Sequence, residues 1–85
     1  MEKYPVGEAV LGEERIRYYL VQDSFNGNQV SYGIAVELGK EQVVIENLSN
    51  SDRRVRTLLS CMERGTVTPV SVPDIVEDWL AGAKI

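Results

Sequence analysis

Histidine is absent from this chain of 85 residues, and Cys61 is its one cysteine. Those two facts remove most common active-site chemistry. Without an imidazole there is no Ser-His-Asp triad, no Cys-His pair, no His-ligated zinc and no histidine acid or base. One thiol makes neither an internal disulfide nor a multi-cysteine metal site. Carboxylates and arginines remain. The dense carboxylates are Glu13-Glu14 and the group Asp74, Glu77 and Asp78. Paired carboxylates do acid–base work when their surroundings separate their pKa values. The second group, however, opens a helical pattern, opposite Ile75 and Trp79, where acids suit the positive end of the helix dipole. It reads as a solvated face.

The arginines are the most informative group. At about 100° per residue, Arg53, Thr57, Ser60 and Arg64 line one helical stripe opposite an apolar face, with Arg56 beside it. Such a stripe suits an anion or an acidic partner, and equally the plain solvent face of a surface helix, or ion pairs with the acids of a second helix. Arg15 and Arg17 make a second basic spot on a strand whose same side carries Tyr19 and Val21, a mixed basic and apolar surface. These residues, Arg15, Arg17, Tyr19, Val21, Arg53, Arg56 and Arg64, form the candidate interaction surface. No residue is assigned a catalytic, cofactor-binding or metal-binding role. Cys61, late in a helix beside Met62, reads as a quiet, partly buried thiol, because the dipole there opposes a thiolate.

Two loop motifs fail on spacing. Five residues, not four, separate Gly33 from Gly39, and Glu41 follows Lys40 where a phosphate-binding loop needs Ser or Thr. The run Asp23 to Asn28 has oxygen ligands like a calcium loop, but Phe25 and Ile34 occupy ligand positions. The sequon at Asn47 has no visible route to the secretory pathway.

The elements that position these residues follow from periodicity. Ile16, Tyr18 and Leu20 alternate with Arg15, Arg17, Tyr19 and Val21, which is a strand. Asn26-Gly27 is a turn signal. Val30, Tyr32, Ile34, Val36 and Leu38 make one apolar face of a second strand, with Ser31, Gly33, Ala35 and Glu37 opposite. Gly39-Lys40-Glu41 reverses the chain into a third strand over Gln42 to Leu48. Val6 to Leu11 adds a possible fourth at one edge.

The period then lengthens. Ser49 and Asp52 have capping-box spacing, and Val55, Leu58, Leu59 and Met62 recur at i, i+3, i+4 and i+7. Gly65 stops that helix. Thr66 to Val70 reads as extended. Ser71-Val72-Pro73-Asp74 opens a second helix, and Gly82 ends it. The expected architecture is one α+β domain over 1–85. A three-stranded antiparallel meander within 6–48, four-stranded where Val6 to Leu11 joins it, is covered on one face by two C-terminal helices at about 51–64 and 73–82. The expected core is Tyr32, Ile34, Val36, Leu58, Leu59, Ile75, Trp79 and Leu80.

Four short runs carry a resemblance: Tyr18 to Val21, Tyr32 to Ile34, Ile45 to Ser49 and Asp74 to Leu80. They resemble a family of short clostridial proteins, an uncharacterised domain of unknown function, over roughly Arg15 to Leu80. The resemblance implies a cytosolic bacterial protein and brings no catalytic residues.

Composition bounds the function. The apolar runs stop at four or five residues, short of the roughly 20 that cross a bilayer. The lone thiol and the polar start point to a reducing cytoplasm. The net charge of -4 argues against nucleic acid, whose affinity comes mostly from phosphate neutralisation. The reading is a cytoplasmic, non-enzymatic interaction module without cofactor or metal, whose partner is another protein or a second copy. The alternative is a small-ligand binder using a groove between sheet and helices, walled by Trp79 or Tyr32.

Overall fold

Among the described residues, 1–25 and 29–82 of a computed structural model, four strands are followed by two helices. Strand β1 spans Glu2–Leu11, β2 Glu14–Phe25, β3 Gln29–Leu38 and β4 Glu41–Ser49; helix α1 spans Asp52–Arg64 and α2 Val72–Gly82. The strands pair in chain order, each antiparallel to the next. Both helices bury their apolar stripes against one face of this sheet, giving a two-layer α+β fold. The Asn26-Gly27 reversal lies outside the described residues.

The meander has four strands rather than three, and the first begins well before Val6. Its pattern is hard to see because β1 is irregular. The pairing shifts between Pro5 and Gly7, so Val6 is an extra residue on the β1 side. One extra residue breaks a period of two. Val6 packs against the core from that position.

Strand phase follows the sequence. Ile16, Tyr18 and Leu20 of β2 and Ile34 and Val36 of β3 are all 2% exposed or less on the helix-covered face. Against them α1 buries Val55, Leu58, Leu59 and Met62. The cap of α1 sits two residues later than the Ser49 spacing suggests. Ser51 is the N-cap, its side chain accepting from the Arg54 N–H at 3.4 Å, while the Ser49 hydroxyl accepts from the Ser51 N–H at 3.0 Å. At the other end Gly65 keeps an ordinary φ of -88°. The left-handed residue is Thr66, with φ 53°.

The connection to α2 is more structured than an extended segment. The buried Tyr18 hydroxyl donates to the Val67 carbonyl at 2.7 Å. Pro69–Ser71 then form a turn of 3-10 helix leading directly into α2. The second helix buries Val72 and Val76, with Ile75 and Trp79 half-buried beside them. Leu80, expected in the core, is 49% exposed. At 100° per residue it lies about 40° past Val76, off the edge of the stripe. Tyr32, Ile75 and Trp79 belong to the rim of the core rather than its centre.

Candidate functional site

The outer face of the sheet, away from the helices, carries the first set of candidate residues. Cross-strand pairing places Tyr19 beside Ala35 and Val21 beside Gly33, and Lys3 beside Val21. Small residues here leave room that the chain itself fills. Lys3 Nζ lies 4.5 Å above the Tyr19 ring and pairs with Glu37 Oε2 at 2.8 Å. The Tyr19 hydroxyl donates to Glu37 Oε1 at 3.2 Å. This strap holds the Glu37 carboxyl below its usual range, chiefly through the Lys3 hydrogen bond, against a smaller opposing push from burial. The same bond holds the Lys3 ammonium above its own.

At the far end β4 performs the same office with its backbone. Three β4 residues, Glu46, Asn47 and Leu48, bulge opposite the single Gly33. Asn47 takes the left-handed φ of 58° that the bulge requires. A Cβ on Gly33 would run into the Ile45 carbonyl and the Glu46 backbone, so glycine is required by a close approach. Val21 and Ala35, although on the outer face, are consequently 0% and 1% exposed.

Arg15 and Arg17 are exposed at the edge of this face, but they do not form a free basic spot. Arg15 pairs with Glu8 at 3.6 Å. Both line an open depression of about 490 Å³ shared with Glu13, Glu14 and Glu37. Acids outnumber bases there.

The second set lies on α1, on the opposite side of the molecule, so the structure does not unite the two. Helix α1 carries four arginines and two acids, Asp52 and Glu63. Arg56 is paired with Asp52 at 3.6 Å. Arg64 turns back on its own helix and donates to Cys61 Sγ at 3.3 Å. Neither ion-pairs with the acids of α2. Arg53 has no carboxylate within 4.0 Å among the described residues. It lines a depression of about 240 Å³ with Arg54, Thr57 and Trp79.

Arg54 was not legible as a site residue, and it proves central. Its guanidinium carbon sits 5.2 Å from the centre of the half-buried Trp79 ring. The available signal was its place at the border of the apolar stripe, four residues before Leu58, where a guanidinium covers an aromatic rim. The Thr57 hydroxyl donates to the Arg53 carbonyl at 2.9 Å. The notch therefore presents an aromatic wall and two guanidinium groups.

Cys61 is exposed rather than partly buried, because it falls just outside the Val55–Met62 stripe. Tyr32 lines an open depression of about 580 Å³ with Ser31, Asn47, Leu48, Ser49 and Asn50 at the end of β3 and β4. The space between sheet and helices is filled by the core. Among the described residues no group of three or more His, Cys, Asp or Glu is placed to hold a metal ion, and no helix is long and apolar enough to cross a membrane.

The model of a family described as a family of unknown function (DUF6514) matches residues 5–82. No curated protein and no solved structure matches.

Proposed function

The chain belongs to this family of unknown function, DUF6514, and from that premise we propose that it is a small, non-catalytic interaction module. It takes an acidic segment of another protein at the notch of Arg53, Arg54, Thr57 and Trp79. One observation carries the reading. A tryptophan ring is held half-exposed under one arginine, beside a second arginine that no acid of the described residues neutralises. Tryptophan and arginine dominate the energetics of protein interfaces, where a rigid aromatic wall and a planar charged fork bind together. The charge of α1 supports an acidic partner. The acidic chain as a whole argues against nucleic acid, whose affinity would need a broader basic surface. The single thiol is consistent with a reducing compartment, and we place the module in a bacterial cytoplasm.

Affinity capture with the wild type and with Arg53→Glu/Arg54→Glu, run side by side and quantified by mass spectrometry, tests this. A protein retained by the wild type and lost on charge reversal supports the notch, and its binding should quench or shift the emission of Trp79, the chain's one tryptophan. Equal retention by both chains sinks it. A second reading, a small polar ligand at the hydroxyl- and amide-lined depression beside Tyr32, predicts the opposite pattern: binding indifferent to both arginines and sensitive to Tyr32→Ala.

A further inference from the structure

Among the described residues the sheet has two edge strands, and they are guarded unequally. Edge strands expose unpaired backbone N–H and C=O groups that template further pairing, unless proline, charge or a bulge interferes. In β1 all three interfere: Pro5 lacks a donor, the register breaks between Pro5 and Gly7, and Glu2, Lys3 and Glu8 are charged. In β4 the bulge is confined to Glu46–Leu48; the stretch from Glu41 to Ile45 pairs regularly with β3 on one side and, among the described residues, has no strand on the other. It contains no proline and holds the consecutive β-branched residues Val43, Val44 and Ile45. Val44 is 38% exposed on the outer face.

We propose that this edge, Gln42 to Glu46, pairs antiparallel with the same segment of a second copy of the chain, about a two-fold axis at Val44. The register follows from side-chain chemistry. Directly opposed residues in an antiparallel pair share a face, so a two-fold axis must pass through one residue. With the axis at Val44, that residue meets Val44 of the partner subunit, Val43 meets the partner's Ile45, and Gln42 meets the partner's Glu46. Moving the axis to Val43 sets Glu41 against the partner's Ile45 and Gln42 against the partner's Val44. Moving it to Ile45 sets Val44 against the partner's Glu46. Only the Val44 register joins like with like.

Charge supports the same register. Lys40 stands one diagonal step from the partner's Glu46, within reach of a long side chain, and the contact repeats by symmetry. Neither Lys40 nor Glu46 has an ion-pair partner among the described residues. The segment is also bounded. Gly39 (φ 59°) and Asn47 (φ 58°) end the regular strand on either side. So short an edge belongs at the small end of interfaces, below about 1,200 Å² in total, and the pairing is reversible. It is separate from the Arg53–Trp79 notch, and its failure would leave that reading untouched.

Sedimentation velocity from micromolar to near-millimolar protein tests the association. The wild type should pass from monomer to dimer. Lys40→Glu or Glu46→Lys alone should weaken the dimer by about tenfold, since two exposed pairs become repulsive, and the double swap should restore it. Circular dichroism confirms that each variant is folded. The register has its own test in a Cys61→Ser background. Val44→Cys should cross-link two copies on mild oxidation, because opposed Cα atoms lie within disulfide range. Gln42→Cys should not, because the two thiols would sit about 13 Å apart along the strand. A wild type that stays monomeric at every concentration, a swap that restores nothing, or equal cross-linking at both positions would each overturn the proposal.

Discussion

The two faces of this sheet both bury residues, but by different means. On the inner face two helices cover Ile16, Tyr18, Leu20, Ile34 and Val36 with a continuous apolar layer. On the outer face no second layer exists among the described residues, yet Val21, Ala35 and Ser31 are buried. Their cover is the Lys3–Tyr19–Glu37 strap at one end and the bulged backbone of β4 at the other. The inner face is sealed chiefly by hydrophobic burial, which carries no charge pair for salt to screen and meets pH only where the Tyr18 phenol titrates. The outer face is sealed by steric fit and by a charged hydrogen-bond network, which responds to both. A half-empty sheet side need not be a docking surface when its own strands close over it.

The inner face should break hardest. Leu59 is 1% exposed in α1's stripe, and Leu59→Ala should cost about 2–5 kcal/mol, the usual range for a large core truncation. Urea unfolding should place the midpoint far below the wild type, and in so small a domain much of the population would unfold at room temperature. A near-native midpoint would mean that α1 is not what holds the layers together.

Gly33→Ala sharpens the contrast on the other side. The new methyl would press on the β4 backbone rather than on a movable side chain. It should cost about 1–3 kcal/mol by overpacking, with amide shifts concentrated at Ile45 to Leu48. Native stability would show that the bulge yields freely and that the outer face is loosely closed.

The inner layer's polar contact should cost less. Tyr18→Phe removes the hydroxyl that donates to the Val67 carbonyl and should cost about 1 kcal/mol. Burial, mainly, raises the Tyr18 phenol above its ordinary range. A raised phenol favours the protonated folded state, so its contribution is complete below the unfolded value near 10 and declines as pH rises through the folded value. Tyr18→Phe should therefore flatten the alkaline loss of stability measured by denaturation across that range. An unchanged alkaline limb would mean that other groups govern it.

How much of this was legible depended on regularity. The alternation in β2 and β3 and the stripe of α1 were readable because one residue type recurs at a fixed period against a single apolar layer. The extent of β1 was not, because Val6 is inserted at a bulge and Pro5 and Gly7 are poor strand formers. Leu80 read as core because an apolar residue at the end of a short stripe cannot be told from one just past it. Of the candidate surface, Arg53 was found and Arg54 was not, since its partner Trp79 lies in another helix and a contact between helices has no period. The Lys3–Tyr19–Glu37 strap joins three strands, and only pairing register reveals it.

The smallest expected effect isolates the strap's charge from its bulk. Lys3→Met keeps an unbranched chain over the Tyr19 ring but removes the ammonium that pairs with Glu37. Both partners are partly exposed, at 34% and 26%, so the loss should be about 0.5 kcal/mol after solvent screening. Its pH dependence is the sharper observable. The Glu37 carboxyl is held low chiefly by the Lys3 hydrogen bond, helped by the Tyr19 hydroxyl and by the Lys3 and Arg17 charges. A depressed carboxyl stabilises the fold above its unfolded value, near 4.3, and that contribution disappears as pH falls through the folded value. In Lys3→Met, carbon-detected NMR titration should move Glu37 back toward the ordinary carboxylate range, and the acid loss of stability should become shallower. Added salt should narrow the difference between wild type and variant, as it does for exposed pairs. An unmoved Glu37 would mean that the Lys3 ammonium does not set its environment, and Lys3 would then close the outer face by the bulk of its chain rather than by its charge.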